Sequence, residues 1–282
     1  MNFIKVIIFQ IFTLSVISCS NTNQEYRVEL NSNWEFKSEN DKDYLPATVP
    51  GTVHLDLLKN GKIDDPFFRL NEHKQQWIDK LDWDYRTSFD VNDFYFDYDV
   101  IELDFLGLDT FADVYLNDSL IYSSDNMFIG KTVNVKNNIK KGENNLLIKF
   151  KSPIDIGIEM YDKLGYKLPD NANDLSEIGK VPENKKVGVF ERKAPYSFGW
   201  DWGPRLVTSG IWRPIKINFW NNFQIKDLHF TQKIVEENAL VKAEVEVLSV
   251  YDDLNVNAKI YVDNKIIAND IVHLKKGKNN FS

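Results

Sequence analysis

Short segments of alternating apolar and polar residues recur between residues 26 and 274, and they constrain the fold more than any other feature. In Val100–Phe105 and Thr110–Leu116, apolar and polar side chains follow one another in turn, which is the pattern of a strand with one buried face. Turn-forming residues separate such segments at intervals of about 8–12 residues. The chain is therefore predicted to be all-β, with antiparallel sheets packed into a sandwich.

The predicted strands fall into two groups. The first group comprises residues 26–30, 33–36, 83–89, 100–105, 110–116, 119–122, 128–135, 146–150 and 210–220, and the second comprises residues 223–232, 240–249, 255–262 and 266–274. An immunoglobulin-like sandwich needs about seven strands and about 100 residues. We therefore expect one complete domain over residues 26–221 and a truncated, partial immunoglobulin-like β-sandwich over residues 222–282.

Three segments depart from the strand pattern. Ile154, Ile158 and Tyr161 follow Pro153 at helical spacing and predict a short helix. A second short helix is predicted to begin after Thr52 and to end at Gly61, by the usual capping preferences. Residues 168–186 are rich in Asn, Asp, Pro and Lys. They predict a long exposed loop, and such loops are often functional lids.

The N-terminus has the pattern of an export signal. Lys5 precedes an apolar run, Val6–Ile17, which is too short to span a bilayer but suits a signal peptide. The run ends in a sequence that resembles a bacterial lipobox, with Ser18 before Cys19. We therefore predict a lipoprotein signal peptide over residues 1–18, lipidation of Cys19, a tether over residues 19–25, and an exported bacterial lipoprotein anchored in the periplasm or at the cell surface. The alternative is a buried apolar helix with a stray cysteine.

Charge and composition exclude several function classes. The chain has 34 Lys and Arg against 42 Asp and Glu, a net charge of −8, which argues against nucleic-acid binding because no basic stripe faces the phosphates. Cys19 is the single cysteine, so no internal disulfide can form. The four histidines have no paired metal-ligand spacing, and no phosphate-binding loop or nucleophile elbow occurs. No metal and no cofactor is expected.

An aromatic segment, residues 193–205, does not fit a core strand. It contains four aromatic residues, two glycines and two prolines, and Asp201 lies between Trp200 and Trp202. Two flat indoles beside one carboxylate suit a carbohydrate, because the rings offer apolar faces to the C–H side of a sugar and the carboxylate accepts hydrogen bonds from its hydroxyls. The alternative is an aromatic-rich turn in which Asp201 forms a structural ion pair with Arg192 or Arg205. Composition leaves both hypotheses open.

Longer motifs carry a resemblance to a known family. Three of them resemble the N-terminal jelly-roll of glycoside hydrolase family 2: Tyr85–Phe89, Phe105–Asn117 and Ser209–Pro214. Four others narrow the resemblance to the β-mannosidases of that family: Pro46–His54, Asp65–Glu72, Gln76–Ile78 and Tyr196–Arg205. The resemblance covers residues 26–282 and implies a galactose-binding-like jelly-roll β-sandwich over residues 26–221.

The resemblance also implies a multidomain enzyme that hydrolyses terminal β-D-mannose residues with retention. Two glutamates about 5–5.5 Å apart perform such chemistry, and in this family they lie on a (β/α)8 barrel. The chain ends before any barrel begins, so we expect it to be inactive on its own and assign it no catalytic residue. Asn71 and Glu72 superficially resemble the family's Asn–Glu pair, but they lie within the jelly-roll segment and are interpreted as loop structure.

By the same resemblance, Trp200, Asp201 and Trp202 match the part of the first domain that reaches the sugar site on the barrel. They are expected to form a non-catalytic wall of the mannose subsite, with β-mannosides or manno-oligosaccharides as partners. Arg192 and Arg205 are expected to support Asp201 from behind. The alternative function is a non-catalytic surface carbohydrate-binding lipoprotein.

Overall fold

The computed structural model of the protein describes residues 25–175, 185–236 and 238–282. The predicted signal peptide, Cys19 and nearly all of the predicted tether lie outside these residues, as does part of the predicted loop 168–186. In the described ranges, no helix is both long enough and apolar enough to cross a bilayer.

Strands dominate the described residues. They are β1 Tyr26–Glu29, β2 Glu35–Ser38, β3 Leu45–Pro46, β4 Trp83–Val91, β5 Val100–Phe105, β6 Phe111–Leu116, β7 Ser119–Asp125, β8 Lys131–Asn134, β9 Gly142–Phe150, β10 Ile215–Trp220, β11 Phe223–Val235, β12 Asn238–Ser249, β13 Leu254–Val262, β14 Lys265–Leu274 and β15 Gly277–Phe281. The α-helices are short: α1 Val53–Lys59, α2 Asp93–Phe96 and α3 Pro153–Leu164. The predicted all-β class is confirmed.

Residues 26–220 contain a sandwich of two antiparallel sheets. One sheet has the order β1-β10-β5-β8 and the other the order β3-β2-β4-β9-β6-β7. Leu103 and Phe105 of β5 share one buried cluster with Leu146, Ile148 and Phe150 of β9, so the core lies between the sheets. Each fully buried side chain of this type contributes about 1.5–3 kcal/mol to folding, and the alternation that predicted the strands is the alternation that fills this core.

Several strands differ from the prediction. β8 begins at residue 131 and not at 128, β9 begins at residue 142 and not at 146, and β3 was not predicted. Two further differences have a visible cause. The predicted strand 210–220 begins only at Ile215, because Gly210 instead pairs with Asp109 through two backbone hydrogen bonds of 2.9 and 3.0 Å. β15 was not predicted, since its Lys and Asn residues have low β-propensity. It nevertheless pairs with β12, where Phe281 lies opposite Val245.

Residues 223–281 form two further antiparallel sheets. One has the order β11-β12-β15, and the other is the hairpin β13-β14. Apolar side chains such as Phe230, Val245 and Ile260 line a cleft of about 750 Å³ in this region. The antiparallel pairing is the one expected for this stretch, and its assignment as a partial immunoglobulin-like sandwich stays a prediction.

Helix α3 builds a second, smaller core that reaches the aromatic segment. Its N-terminus is capped by Ser152, whose Oγ accepts a hydrogen bond from the backbone N–H of Asp155 at 3.1 Å. Gly165 ends the helix in the left-handed conformation, with φ of 77°, so the helix predicted after Pro153 is confirmed. The second core comprises Ile154, Val187, Phe198 and Val207.

Candidate functional site

The first half of the aromatic segment is anchored in the protein interior. Pro195–Phe198 form a single 3-10 turn, and Phe198 is only 1% exposed because it packs in the second core. The next residue, Gly199, has φ of +130°, and a Cβ there would lie 2.4 Å from the carbonyl oxygen of Asn173. Glycine is therefore required where the chain leaves the core and turns towards solvent.

The following three residues, Trp200, Asp201 and Trp202, form an exposed tryptophan turn. Trp200 is 40% exposed and Trp202 is 83% exposed. Their ring centroids are 5.8 Å apart with an interplanar angle of 84°, an edge-to-face arrangement. Trp200 also pairs with Gly203 as an isolated β-bridge, which closes the turn.

Asp201 lies at the apex of the tryptophan turn. Its side chain is exposed, and within the described part of the chain its carboxylate has no hydrogen-bond or ion-pair partner. The turn therefore presents two indole rings and one available carboxylate to solvent. That combination can stack against the apolar face of a sugar while accepting hydrogen bonds from its hydroxyls, each worth about 1.5–3 kcal/mol because the acceptor is charged.

The two arginines that were expected to support Asp201 have other partners. Arg205 is buried, and its Nη2 lies 2.6 Å from Oδ2 of Asp79. Arg192 is exposed and pairs with Asp125 at 3.7 Å, a surface pair of the kind that contributes little stability. Among the described residues, neither guanidinium contacts Asp201, so the structural ion pair considered from the sequence is not formed. The physical reason is that Arg205 points inward from the turn, whereas Asp201 points outward.

Asn71 and Glu72 lie in a 3-10 turn, Asn71–Gln75. Nδ2 of Asn71 donates to the carbonyl oxygen of Asp65 at 3.0 Å, and Oε1 of Glu72 accepts from the backbone N–H of Arg205 at 2.7 Å. Both side chains thus hold local structure, in line with their interpretation as loop residues. The second contact also joins this loop to the end of the aromatic segment.

Sequence reasoning missed the buried ion pairs at the two ends of the aromatic segment. Lys193 forms an ion pair with Asp109, with side-chain exposures of 0% and 1%. Lys193 and Arg205 could be seen to flank the aromatic segment, but their carboxylate partners lie in distant parts of the chain. No spacing rule connects them, so only the folded structure brings Asp79 and Asp109 to the site.

Two further titratable groups are buried in the same region. Burial lowers the pKa of His54 to about 4, against an ordinary value of 6.5. Burial also raises the pKa of Glu191 well above its usual range, although Lys193 opposes the shift. Within the described residues, both carboxylate oxygens of Glu191 and the Nδ1 atom of His54 lack a hydrogen-bond partner.

Comparison with known proteins places this architecture in a family. The model of the glycosyl hydrolase 2 galactose-binding domain-like family matches residues 34–213. The chain is 32% identical over 225 residues to a β-mannosidase of Mus musculus, covering 79% of this chain and 25% of the relative. It is 37% identical over 210 residues to a probable β-mannosidase of Caenorhabditis elegans, covering 72% of this chain and 22% of the relative.

Solved structures give the same result. A β-D-mannosidase from Dictyoglomus thermophilum superimposes with a TM-score of 0.80 at 37% identity, covering 91% of this chain and 30% of that one. An exo-chitosanase from Amycolatopsis orientalis shares the fold, with a TM-score of 0.65 at 18% identity. The chain spans about a quarter of the length of the curated relatives it matches. The reported relatives that are more than 30% identical to it are named β-mannosidases, and the chain belongs to the glycosyl hydrolase 2 galactose-binding domain-like family.

Proposed function

We propose that this chain is the N-terminal, non-catalytic part of a retaining exo-β-mannosidase and forms one wall of its mannose subsite. Family membership and the β-mannosidase relatives support this assignment. The observation that carries it is the tryptophan turn, which holds a carboxylate without a partner among the described residues between two exposed indoles. In this proposal Asp201 accepts hydrogen bonds from mannose hydroxyls, Trp200 and Trp202 wall the sugar, and the two catalytic glutamates lie on a domain outside this chain.

We also propose the export and the lipid anchoring that are expected from the N-terminus. Cys19 would carry the lipid after removal of residues 1–18, so the protein would be exported and held at a membrane by its lipid. Labelling with a radioactive fatty acid in a bacterial host tests this part. Label is expected in the wild-type protein, and label retained in Cys19→Ala would contradict the assignment.

A chimera tests the sugar-binding role. Residues 25–282 would replace the matching 30% of the Dictyoglomus thermophilum β-mannosidase, and hydrolysis of a chromogenic β-mannoside would be measured. We expect the chimera to be active and the 282-residue chain by itself to be inactive. Asp201→Ala should lower kcat/KM of the chimera by roughly tenfold to a hundredfold, since one charge-assisted hydrogen bond is lost.

The matched control is Glu143→Ala, which removes an exposed carboxylate from β9, away from the turn. It should leave kcat/KM unchanged. The role of the turn is refuted if Asp201→Ala and Glu143→Ala behave alike, or if a correctly folded chimera is inactive towards the β-mannoside.

The alternative function, a non-catalytic carbohydrate-binding lipoprotein, is favoured by one observation: the tryptophan turn is already formed within this chain. Calorimetry of the chain with manno-oligosaccharides discriminates the two. Millimolar or tighter binding that is lost in Asp201→Ala supports the binding protein, whereas weaker or absent binding supports one wall of a larger site.

A further inference from the structure

Two buried ion pairs lie at the two ends of the aromatic segment. Lys193 pairs with Asp109 at the first residue of the segment, and Arg205 pairs with Asp79 at its last residue. All four side chains are at most 2% exposed. The exposed tryptophan turn lies between these two points.

The first pair fixes the segment to the loop between β5 and β6. Besides its ion pair, Lys193 donates from Nζ to the carbonyl oxygen of Thr208 at 2.7 Å. Asp109 accepts hydrogen bonds from the hydroxyls of Thr208 at 2.6 Å and Thr110 at 2.5 Å. Its backbone pairs with that of Gly210. The carboxylate that receives Lys193 is therefore itself held in place.

The second pair fixes the segment to the residues that precede β4. The guanidinium of Arg205 contacts Asp79 at 2.6 Å, Oε1 of Gln76 at 2.5 Å and the carbonyl oxygen of Leu175 at 2.9 Å. Its backbone N–H donates to Glu72, and its carbonyl oxygen accepts from Nε2 of Gln76 at 3.0 Å. The planar fork of Arg205 thus directs Nε and Nη1 to two separate acceptors, while Nη2 adds the ion pair with Asp79 without hydrogen-bond geometry.

Stability does not by itself require such pairs. Replacing a buried ion pair with apolar residues of similar volume is often neutral or stabilising. What the two pairs supply here is position. They fix both ends of a segment whose exposed part has few contacts among the described residues. The contacts found within the tryptophan turn are the bridge from Trp200 to Gly203 and the edge-to-face contact of its rings.

We propose that the Lys193–Asp109 and Arg205–Asp79 pairs form a clamp that fixes the orientation of the tryptophan turn. Asp79, Asp109, Lys193 and Arg205 are positioning residues: they act on sugar recognition through the turn and do not touch the sugar. The sugar-related part of this inference rests on the proposed function. Displacing a binding group by about 1 Å can cost an enzyme about a hundredfold in rate, so the clamp would set how well Asp201 meets a mannose hydroxyl.

The test measures the order of the turn directly, in the full chain and without sugar. NMR relaxation gives order parameters for the backbone amides of residues 200–203, with the amides of β9 as an internal reference for the folded sandwich. In the wild type we expect values near 0.85, as for rigid backbone. In Arg205→Lys, which keeps the charge but loses the fork, values for residues 200–203 should fall below about 0.6 while those of β9 stay unchanged.

A double variant separates positioning from folding. Asp79→Asn with Arg205→Met removes the buried pair but keeps an oxygen acceptor for Nζ of Lys80, which pairs with Asp79 at 2.9 Å. The sandwich should therefore remain folded, yet the turn should loosen as in Arg205→Lys. The corresponding double variant Asp109→Leu with Lys193→Met tests the other end in the same way. Lys226→Met is the control, because it removes an ion pair to Glu102 that lies away from the turn, and residues 200–203 should keep their wild-type values.

The clamp is refuted if residues 200–203 keep their wild-type order parameters in the folded double variants, or if Lys226→Met loosens them equally. Because no sugar is present, this outcome is independent of the proposed function. A rigid turn that fails to bind mannose in the chimera would refute the function and leave the clamp standing.

Discussion

At the scale of single residues, the buried groups around the aromatic segment differ in how their polar atoms are satisfied. Asp109 accepts several hydrogen bonds. Arg205 donates from Nε and Nη1, whereas its Nη2 meets Oδ2 of Asp79 as an ion pair without hydrogen-bond geometry. His54 and Glu191 are also buried and have polar atoms without hydrogen-bond partners among the described residues. Because burial shifts the pKa of both groups, these two side chains should dominate the pH dependence of folding in this region.

The neutral state of His54 should stabilise the fold only above its unfolded pKa. Burial lowers its pKa from 6.5 to about 4, so its contribution to the free energy of unfolding is present above pH 6.5 and is lost as pH falls towards 4. The full loss is about 3 kcal/mol. We expect urea unfolding of His54→Gln to be less sensitive to pH across this range than that of the wild type. Parallel pH profiles would contradict the assignment, and His73→Gln on the exposed loop is the control.

Glu191 should have the opposite dependence. Burial raises its pKa in the folded state, so its contribution is fully present below its unfolded pKa of about 4.5 and is lost as pH rises towards the folded value. The free energy of unfolding of Glu191→Gln, measured relative to the wild type, should therefore increase as pH rises from 4.5. The exposed Glu143→Gln should show no such trend. A constant difference between Glu191→Gln and wild type would show that the carboxylate ionises normally in the fold.

At the scale of elements, the departure of the aromatic segment from the core depends on Gly199. Gly199→Ala combines a positive φ with a Cβ placed 2.4 Å from a backbone carbonyl, so we expect a loss of about 1–3 kcal/mol in the free energy of unfolding. Gly203→Ala is the matched control. Its nearest neighbour would be 4.0 Å away, and thermal unfolding should be almost unchanged. Equal effects at both positions would contradict the required turn.

Periodicity predicted the elements well wherever one face is buried against the opposite sheet. β5 and β6 begin and end within one residue of the predicted limits, because their alternation fills the inter-sheet core. The prediction failed where a segment's backbone hydrogen bonds depend on residues that are distant in the sequence. The backbone of Gly210 hydrogen-bonds to that of Asp109 and does not continue the strand. The polar segment β15 is a strand because its backbone pairs with the free edge of β12. Neither partner can be read from local sequence.

At the scale of the whole molecule, the sandwich carries the tryptophan turn. Local sequence identified this turn, whereas contacts with distant parts of the chain anchor its two ends. The combination of two indole rings with the carboxylate of Asp201 was predictable, because Trp200, Asp201 and Trp202 are adjacent in the sequence. The contacts of Arg205 were not, because Asp79 and Gln76 are brought to it by the packing of the residues before β4. The chain spans only about a quarter of the length of its curated relatives, so the proposed mannose subsite is best tested in the chimera.

The most direct test of the central claim is a crystal structure of the chimera with mannose bound in its active site. The account predicts that a carboxylate oxygen of Asp201 lies about 2.5–3.0 Å from a mannose hydroxyl oxygen, as in a hydrogen bond, with an indole of the tryptophan turn against the sugar. Mannose bound in the active site with Asp201 beyond hydrogen-bond distance, and with neither Trp200 nor Trp202 in contact, would contradict it.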